Sequence, residues 1–114
     1  MDDTTIRNVL AKLTAICESR GLDAGGLVRY VEHGIMPGSF LTAVLEDKLV
    51  ESAKCADDNN LPRLHMWADI MYNAVPRAAR GSEQSVNEWS KAGGLRGVQQ
   101  SHDEHAAAIA QGGA

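Results

Sequence analysis

Histidine and serine side chains close to acidic residues are the first candidates for chemistry in this chain. His33 follows Glu32 directly, and Ser39 comes after a Pro37-Gly38 corner. A serine can attack a substrate carbonyl when an imidazole takes its proton and an acid orients that imidazole. A serine also begins helices well, because its side-chain oxygen accepts a hydrogen bond from the first turn. The sequence favours the cap, so we expect no enzyme, although a hydrolase that uses Ser39 and His33 stays open.

Metal and thiol chemistry would need ligands that the sequence does not group together. His102 and His105 are three residues apart, and two histidines alone are too few to hold a metal ion. Cys17 and Cys55 each lie in a helix-like segment, and neither has a second cysteine at the spacing of a zinc motif. We therefore expect two buried free thiols rather than a disulfide, and we expect no metal and no cofactor.

Aromatic and cationic side chains offer a binding site rather than a catalytic one. Arg77 and Arg80 lie in one basic loop, and guanidinium groups bind carboxylates and phosphates well. Tyr30, His33 and Tyr72 lie on helix-like segments near helix ends, so these five side chains could surround a helix-lined or subunit-interface pocket. Tyr72 could equally close its own helix by hydrogen bonding. Whether the two arginines form an anion site is left open by the sequence.

Charge and hydropathy limit the classes of partner. The 114 residues carry a net charge of −4, which gives no general attraction to a phosphate backbone, so we expect no binding of duplex nucleic acid. Residues 46–58 are rich in acidic side chains, which would suit a basic protein partner. No apolar run approaches the roughly 20 residues that cross a bilayer. The first residues are acidic rather than basic, so we expect a cytoplasmic protein without a membrane partner.

Helices must position all of these side chains, because apolar residues recur at helical spacing and no segment alternates like a strand. Aromatic residues are scarce, which also favours helix packing. The sequence predicts an all-α fold, a compact bundle of about four to five short helices over residues 1–96, with a flexible, disordered tail over residues 97–114. The expected caps are residues 2–4, Asp23, Ser39, Asn60 and Ser82, and the expected stops are Gly21, Gly34, Pro76 and Gly93. Gly38 is expected to supply a backbone conformation that other residues adopt only at a cost.

A resemblance to a known group of proteins rests on three runs of the sequence. They are LVRYVEHGIMPGSFLTAVLEDKLVESAKCADDNN at residues 27–60, then YNAVP, then GSEQSVNEWSKAGGL. These runs resemble a group of small bacteriophage and prophage proteins, over about residues 27–95 of this chain. The group often carries an extra aromatic where this chain has residues 79–82. The resemblance implies a phage source and the cytoplasm of a bacterial host, but it implies no mechanism.

These observations together predict a small, non-enzymatic phage or prophage accessory protein that binds a host or phage protein. The alternative is a protein that binds or sequesters an anionic small molecule, such as a nucleotide-like signal. A homodimer is a further expectation, because small helical domains often bury leftover apolar surface by pairing.

Overall fold

The computed structural model describes residues 2–99, and most of them are helical. In chain order the α-helices are α1 (Asp3–Ser19), α2 (Gly25–His33), α3 (Ser39–Leu45), α4 (Leu49–Cys55), α5 (Leu64–Ala74) and α6 (Glu83–Ala92). Two 3₁₀ turns, Leu61–Arg63 and Arg77–Ala79, precede α5 and α6, and residues 94–99 form a last helical segment. Residues 2–99 contain no strand, so the all-α prediction is confirmed. The expected four to five helices are too few.

The first additional helix arises because the chain over residues 39–55 divides into α3 and α4. The chain turns at Asp47, whose φ of 63° is left-handed. The N–H of Asp47 donates to Val44 O at 3.1 Å, and the N–H of Lys48 donates to Ala43 O at 2.9 Å. This pair of bonds satisfies the last carbonyls of a helix and usually has glycine at the left-handed position. Here an aspartate takes that position.

The second additional helix is the segment over residues 94–99, which crosses the predicted domain boundary at residue 96. Leu95 is buried within it, so this segment belongs to the packed part of the chain. The remainder of the predicted tail, with His102 and His105, lies outside the described residues.

Local capping signals are confirmed at two helix starts. The Asp2 carboxylate accepts a hydrogen bond from the N–H of Thr5 at 2.8 Å at the start of α1. The Ser82 hydroxyl does the same for the N–H of Ser85 at 3.0 Å at the start of α6. Such side-chain acceptors satisfy backbone donors that have no partner inside the helix.

The predicted caps at Ser39 and Asn60 are wrong. Ser39 is the first residue of α3, the extended Gly38 precedes it, and no side chain caps this helix. Asn60 makes no side-chain cap either, because its Oδ1 accepts a hydrogen bond from Trp67 Nε1 at 3.1 Å. At Asn60 a contact with the following helix therefore decides the role of the side chain.

The core lies mainly between α1, α2, α5 and α6. One cluster contains its buried apolar side chains, which include Ile6, Leu13, Leu27, Tyr30, Val31, Ile70, Val86 and Trp89. Both cysteines are free, as expected, and Cys17 is buried in this core. Cys55 is exposed, so the expectation of two buried thiols is wrong for that residue. The cause is that Cys55 ends α4, which packs mainly on α3.

The joint after α2 is held against α6 by close backbone contact. Gly34 ends α2 with a left-handed φ of 73°. A Cβ atom at Gly34 would lie 2.8 Å from the carbonyl oxygen of Ser90. The Ser90 hydroxyl donates to Gly34 O at 2.7 Å, and Trp89 Nε1 donates to Tyr30 O at 3.1 Å. Gly38, in contrast, has an ordinary φ of −65° and open space around its α-carbon, so Gly34 is the glycine that this corner requires.

Candidate functional site

Tyr30, the first of the predicted binding residues, is part of the core. Its side chain is 0% exposed, and its hydroxyl donates to the carbonyl oxygen of Ala79 at 2.7 Å. Burial raises the pKa of this phenol far above its ordinary value, and the nearby Glu46 carboxylate raises it further. The Tyr30 hydroxyl is therefore neutral and fully enclosed. Its hydrogen bond to Ala79 O holds the turn before α6 against helix α2.

His33 is exposed and lies beside a cluster of ion pairs. Its Nε2 is 3.4 Å from Glu32 Oε1, and the other oxygen of Glu32 accepts from Arg96 Nε at 3.1 Å. Arg96 also pairs with Asp3, so the cluster joins α1, α2 and the last helical segment. The hydrogen bond from Arg96 lowers the pKa of the Asp3 carboxyl, and the nearby Arg7 adds to this. Arg96 was not predicted from the sequence, because its acidic partners lie far from it along the chain.

Ser39 and His33 are not joined by a hydrogen bond within residues 2–99. Ser39 lies exposed at the start of α3, while the imidazole of His33 faces the Glu32 carboxylate.

Tyr72 and Arg80 are brought together by the turn after α5. The Arg80 guanidinium carbon lies 5.4 Å from the centroid of the Tyr72 ring, within the range of a cation–π contact. Arg80 also donates to two backbone carbonyls, those of Val75 at 3.4 Å and Tyr72 at 3.2 Å. Arg77 lines a different cavity, next to Trp89. Of the five predicted side chains, these contacts unite only Tyr72 and Arg80.

These two side chains border a groove between the α3–α4 turn and α5, with a volume of about 330 Å³. We call this feature the α4–α5 groove. Its lining is mostly apolar, and it comprises Val44, Leu45, Leu49, Leu64, Ala68 and Met71, with Asp47, Lys48, Ser52, Tyr72, Arg80 and Gly81. An apolar groove with a few polar groups is the usual form of a binding site.

The charges of the groove are only partly neutralised by the protein itself. Lys48 contacts Glu83 at 3.2 Å and Glu46 at 3.3 Å, and these hydrogen bonds raise the pKa of its ammonium group. Arg80 and Asp47 form no ion pair with any other residue of the described part of the chain. The groove therefore presents one cation and one anion that an occupant could neutralise.

Helix α4, which forms one wall of the groove, exposes apolar side chains and buries a polar one. Leu49 is 73% exposed and Val50 is 82% exposed, whereas Ser52 is 2% exposed. The buried Ser52 hydroxyl donates to Lys48 O at 2.6 Å, so its burial costs little. Leu49 and Val50 are the most exposed large aliphatic side chains in the part of the chain that the structure describes.

Comparison of the chain with protein-family models, with curated proteins and with solved structures gave no significant match. None of the helices within residues 2–99 combines the length and the apolar character needed to cross a membrane.

Proposed function

We propose that this chain is a small, non-enzymatic accessory protein of a phage or prophage, which binds a host or phage protein in the cytoplasm of a bacterial host. The observation that carries the proposal is the exposure of Leu49 and Val50 beside the apolar α4–α5 groove. Exposing these side chains forgoes about 1.5–3 kcal/mol each relative to full burial. A contiguous apolar patch with a polar rim is typical of a protein interaction site.

The surroundings of the groove support a partner with an apolar anchor and basic neighbours. Glu51, Asp57 and Asp58 are exposed around α4, close in sequence to the apolar pair. Charges at the rim of an interface mainly guide the approach of the partner and select its charge pattern. The anchor in the groove would then supply most of the affinity.

The second candidate function is the binding of an anionic small molecule in the same groove. Arg80 favours it, because its guanidinium group is held over Tyr72 and lacks a carboxylate partner within residues 2–99. This version uses only Tyr72 and Arg80 of the predicted binding residues. Tyr30, His33 and Arg77 do not line the groove.

The test is native mass spectrometry of the full chain after gentle purification from its host. We expect a stoichiometric protein partner on the wild-type chain, and its loss from the double variant Leu49→Ser, Val50→Ser. The matched control is Ile35→Ser with Met36→Ser, which removes a second exposed apolar pair (53% and 42% exposed) outside the groove.

A partner that stays on the Leu49→Ser, Val50→Ser variant, or that leaves only with the control, contradicts the use of the groove. A bound small molecule that is lost on Arg80→Gln would instead support the second candidate. Wild-type protein that carries neither a protein nor a small molecule contradicts both.

A further inference from the structure

We infer that helix α4 of a second copy of this chain fills the α4–α5 groove, in a symmetric dimer that competes with the protein partner. The inference shares the groove with the proposed function, but its test needs no host protein. It starts from the apolar side chains of α4, because the helix offers Leu49 and Val50 to the outside next to an open apolar cavity. Helix α4 thus carries the exposed apolar side chains, and it also forms one wall of the α4–α5 groove that could bury the same side chains of a second copy.

The charges of α4 complement the charges of the groove. Glu51 and Lys54 are exposed on α4, and neither forms an ion pair with another described residue. The groove offers Arg80 and Asp47, which likewise have no ion-pair partner within residues 2–99. When α4 of a second copy lies in the groove, Glu51 can meet Arg80 and Lys54 can meet Asp47. Opposite charges that match across an interface fix the orientation of the two surfaces.

Two-fold symmetry allows both grooves to be filled at once. The occupant helix is itself a wall of the second groove, so each copy gives and receives the same contacts. Such a self-complementary interface closes after two chains and leaves no open end for further growth. The dimer covers the surface proposed for a host or phage protein, so self-association and partner binding exclude each other.

Sedimentation velocity on the full chain over a range of concentrations, up to about 1 mM, is the direct test. We expect a dimer whose dissociation depends on concentration. The variant Val50→Ser removes the apolar contact from both halves of the interface, so we expect the dissociation constant of the dimer to rise roughly a hundredfold. The control Ile35→Ser, which changes an exposed apolar residue outside the groove, should leave the dissociation constant unchanged.

Charge exchange tests the orientation of the helix in the groove. Lys54→Glu should weaken the dimer, and Lys54→Glu combined with Asp47→Lys should restore it, because the pair is reversed rather than removed. Both side chains are exposed in the single chain, so these variants should stay folded, which circular dichroism can verify. The pair Glu51→Arg and Arg80→Glu provides an independent repeat.

Three results would overturn the inference. A monomer at every concentration excludes a second copy as the occupant of the groove. A dimer that Val50→Ser does not weaken uses another surface. If the effects of the charge variants on dimer affinity simply add, and the double variant does not restore the dimer, α4 lies in another orientation. Each of these results is compatible with the binding of a host protein in the proposed function. Conversely, the absence of a bound host protein would not contradict the dimer.

Discussion

Replacing Gly34 by alanine should loosen the contact between the end of α2 and the end of α6. The residue has a left-handed φ of 73°, and a Cβ atom there would lie 2.8 Å from Ser90 O and 3.0 Å from Gly94 N. Both neighbours are backbone atoms, so neither can rotate away as a long side chain could. The two segments must move apart to make room for the methyl group.

The expected cost follows from the contacts at this joint. The left-handed conformation costs a residue with a side chain about 1 kcal/mol. Separation of the segments weakens the bond from the Ser90 hydroxyl to Gly34 O and the bond from Trp89 Nε1 to Tyr30 O, each worth about 1 kcal/mol. The free energy of unfolding should therefore fall by about 3 kcal/mol, a large part of the 5–15 kcal/mol typical of a small domain.

Gly21→Ala is the matched control, because Gly21 has a similar φ of 70° and nothing within 4 Å of a Cβ atom. Only the conformational cost of about 1 kcal/mol should remain there. Urea unfolding followed by tryptophan fluorescence measures both variants. With a slope of about 1.5 kcal/mol per molar urea, the midpoint should fall by about 2 M for Gly34→Ala and by about 0.7 M for Gly21→Ala.

Equal shifts for the two variants would refute the reasoning. They would mean that the α2–α6 joint absorbs a methyl group without loss, and that only the backbone angle matters at Gly34. A Gly34→Ala chain that does not fold in buffer, beside a folded Gly21→Ala chain, agrees with the prediction.

Three further perturbations probe other contacts. Tyr30→Phe leaves the buried Ala79 carbonyl without its donor, so we expect a loss of about 1–2 kcal/mol in urea unfolding, and an unchanged midpoint would contradict this. The pKa of Asp3 is lowered from its ordinary value of 3.8, so its contribution to stability is complete above that value and is lost as the pH falls through the lower, folded-state pKa. Arg96→Gln should therefore flatten the acid branch of stability against pH, and an unaltered branch would exclude this pair. Asp47→Gly should stabilise the monomer by about 1 kcal/mol, since Asp47 has a φ of 63°, and lower stability would show that its side chain holds the turn.

The helices and several of their ends were predictable because their signals are local. Asp2 and Ser82 each cap a helix through a bond to a backbone N–H three residues ahead, and both residues can be recognised in the sequence. Pro76 similarly ends α5, because the residue before a proline favours an extended conformation, as Val75 shows with its ψ of 133°.

The parts of the site that depend on distant contacts were not predictable. Tyr30 falls on the inner face of α2, yet its hydroxyl suggested a ligand, since the donor–acceptor pair with Ala79 forms only when the chain has folded. Gly38 looked like the indispensable glycine of the corner, but Gly34 is the one that faces the backbone of another helix. Arg96 carried no signal at all, because its pairing with Asp3 joins opposite ends of the described chain.

Helix α4 shows most clearly the difference between what local sequence signals predict and what distant contacts decide. Its apolar residues follow helical spacing, and this pattern correctly predicts a helix with an apolar face. The pattern does not say which surface covers that face. Within residues 2–99 the helix turns Ser52 inward and leaves Leu49 and Val50 exposed, because α3 supplies its main contact from the other side. If the apolar face of α4 is buried in the working protein, it is buried by another molecule or by another segment of the chain. Val50→Ser distinguishes these cases, since it should leave the stability of the monomer unchanged if another molecule covers α4 and should lower it if another segment of the same chain does.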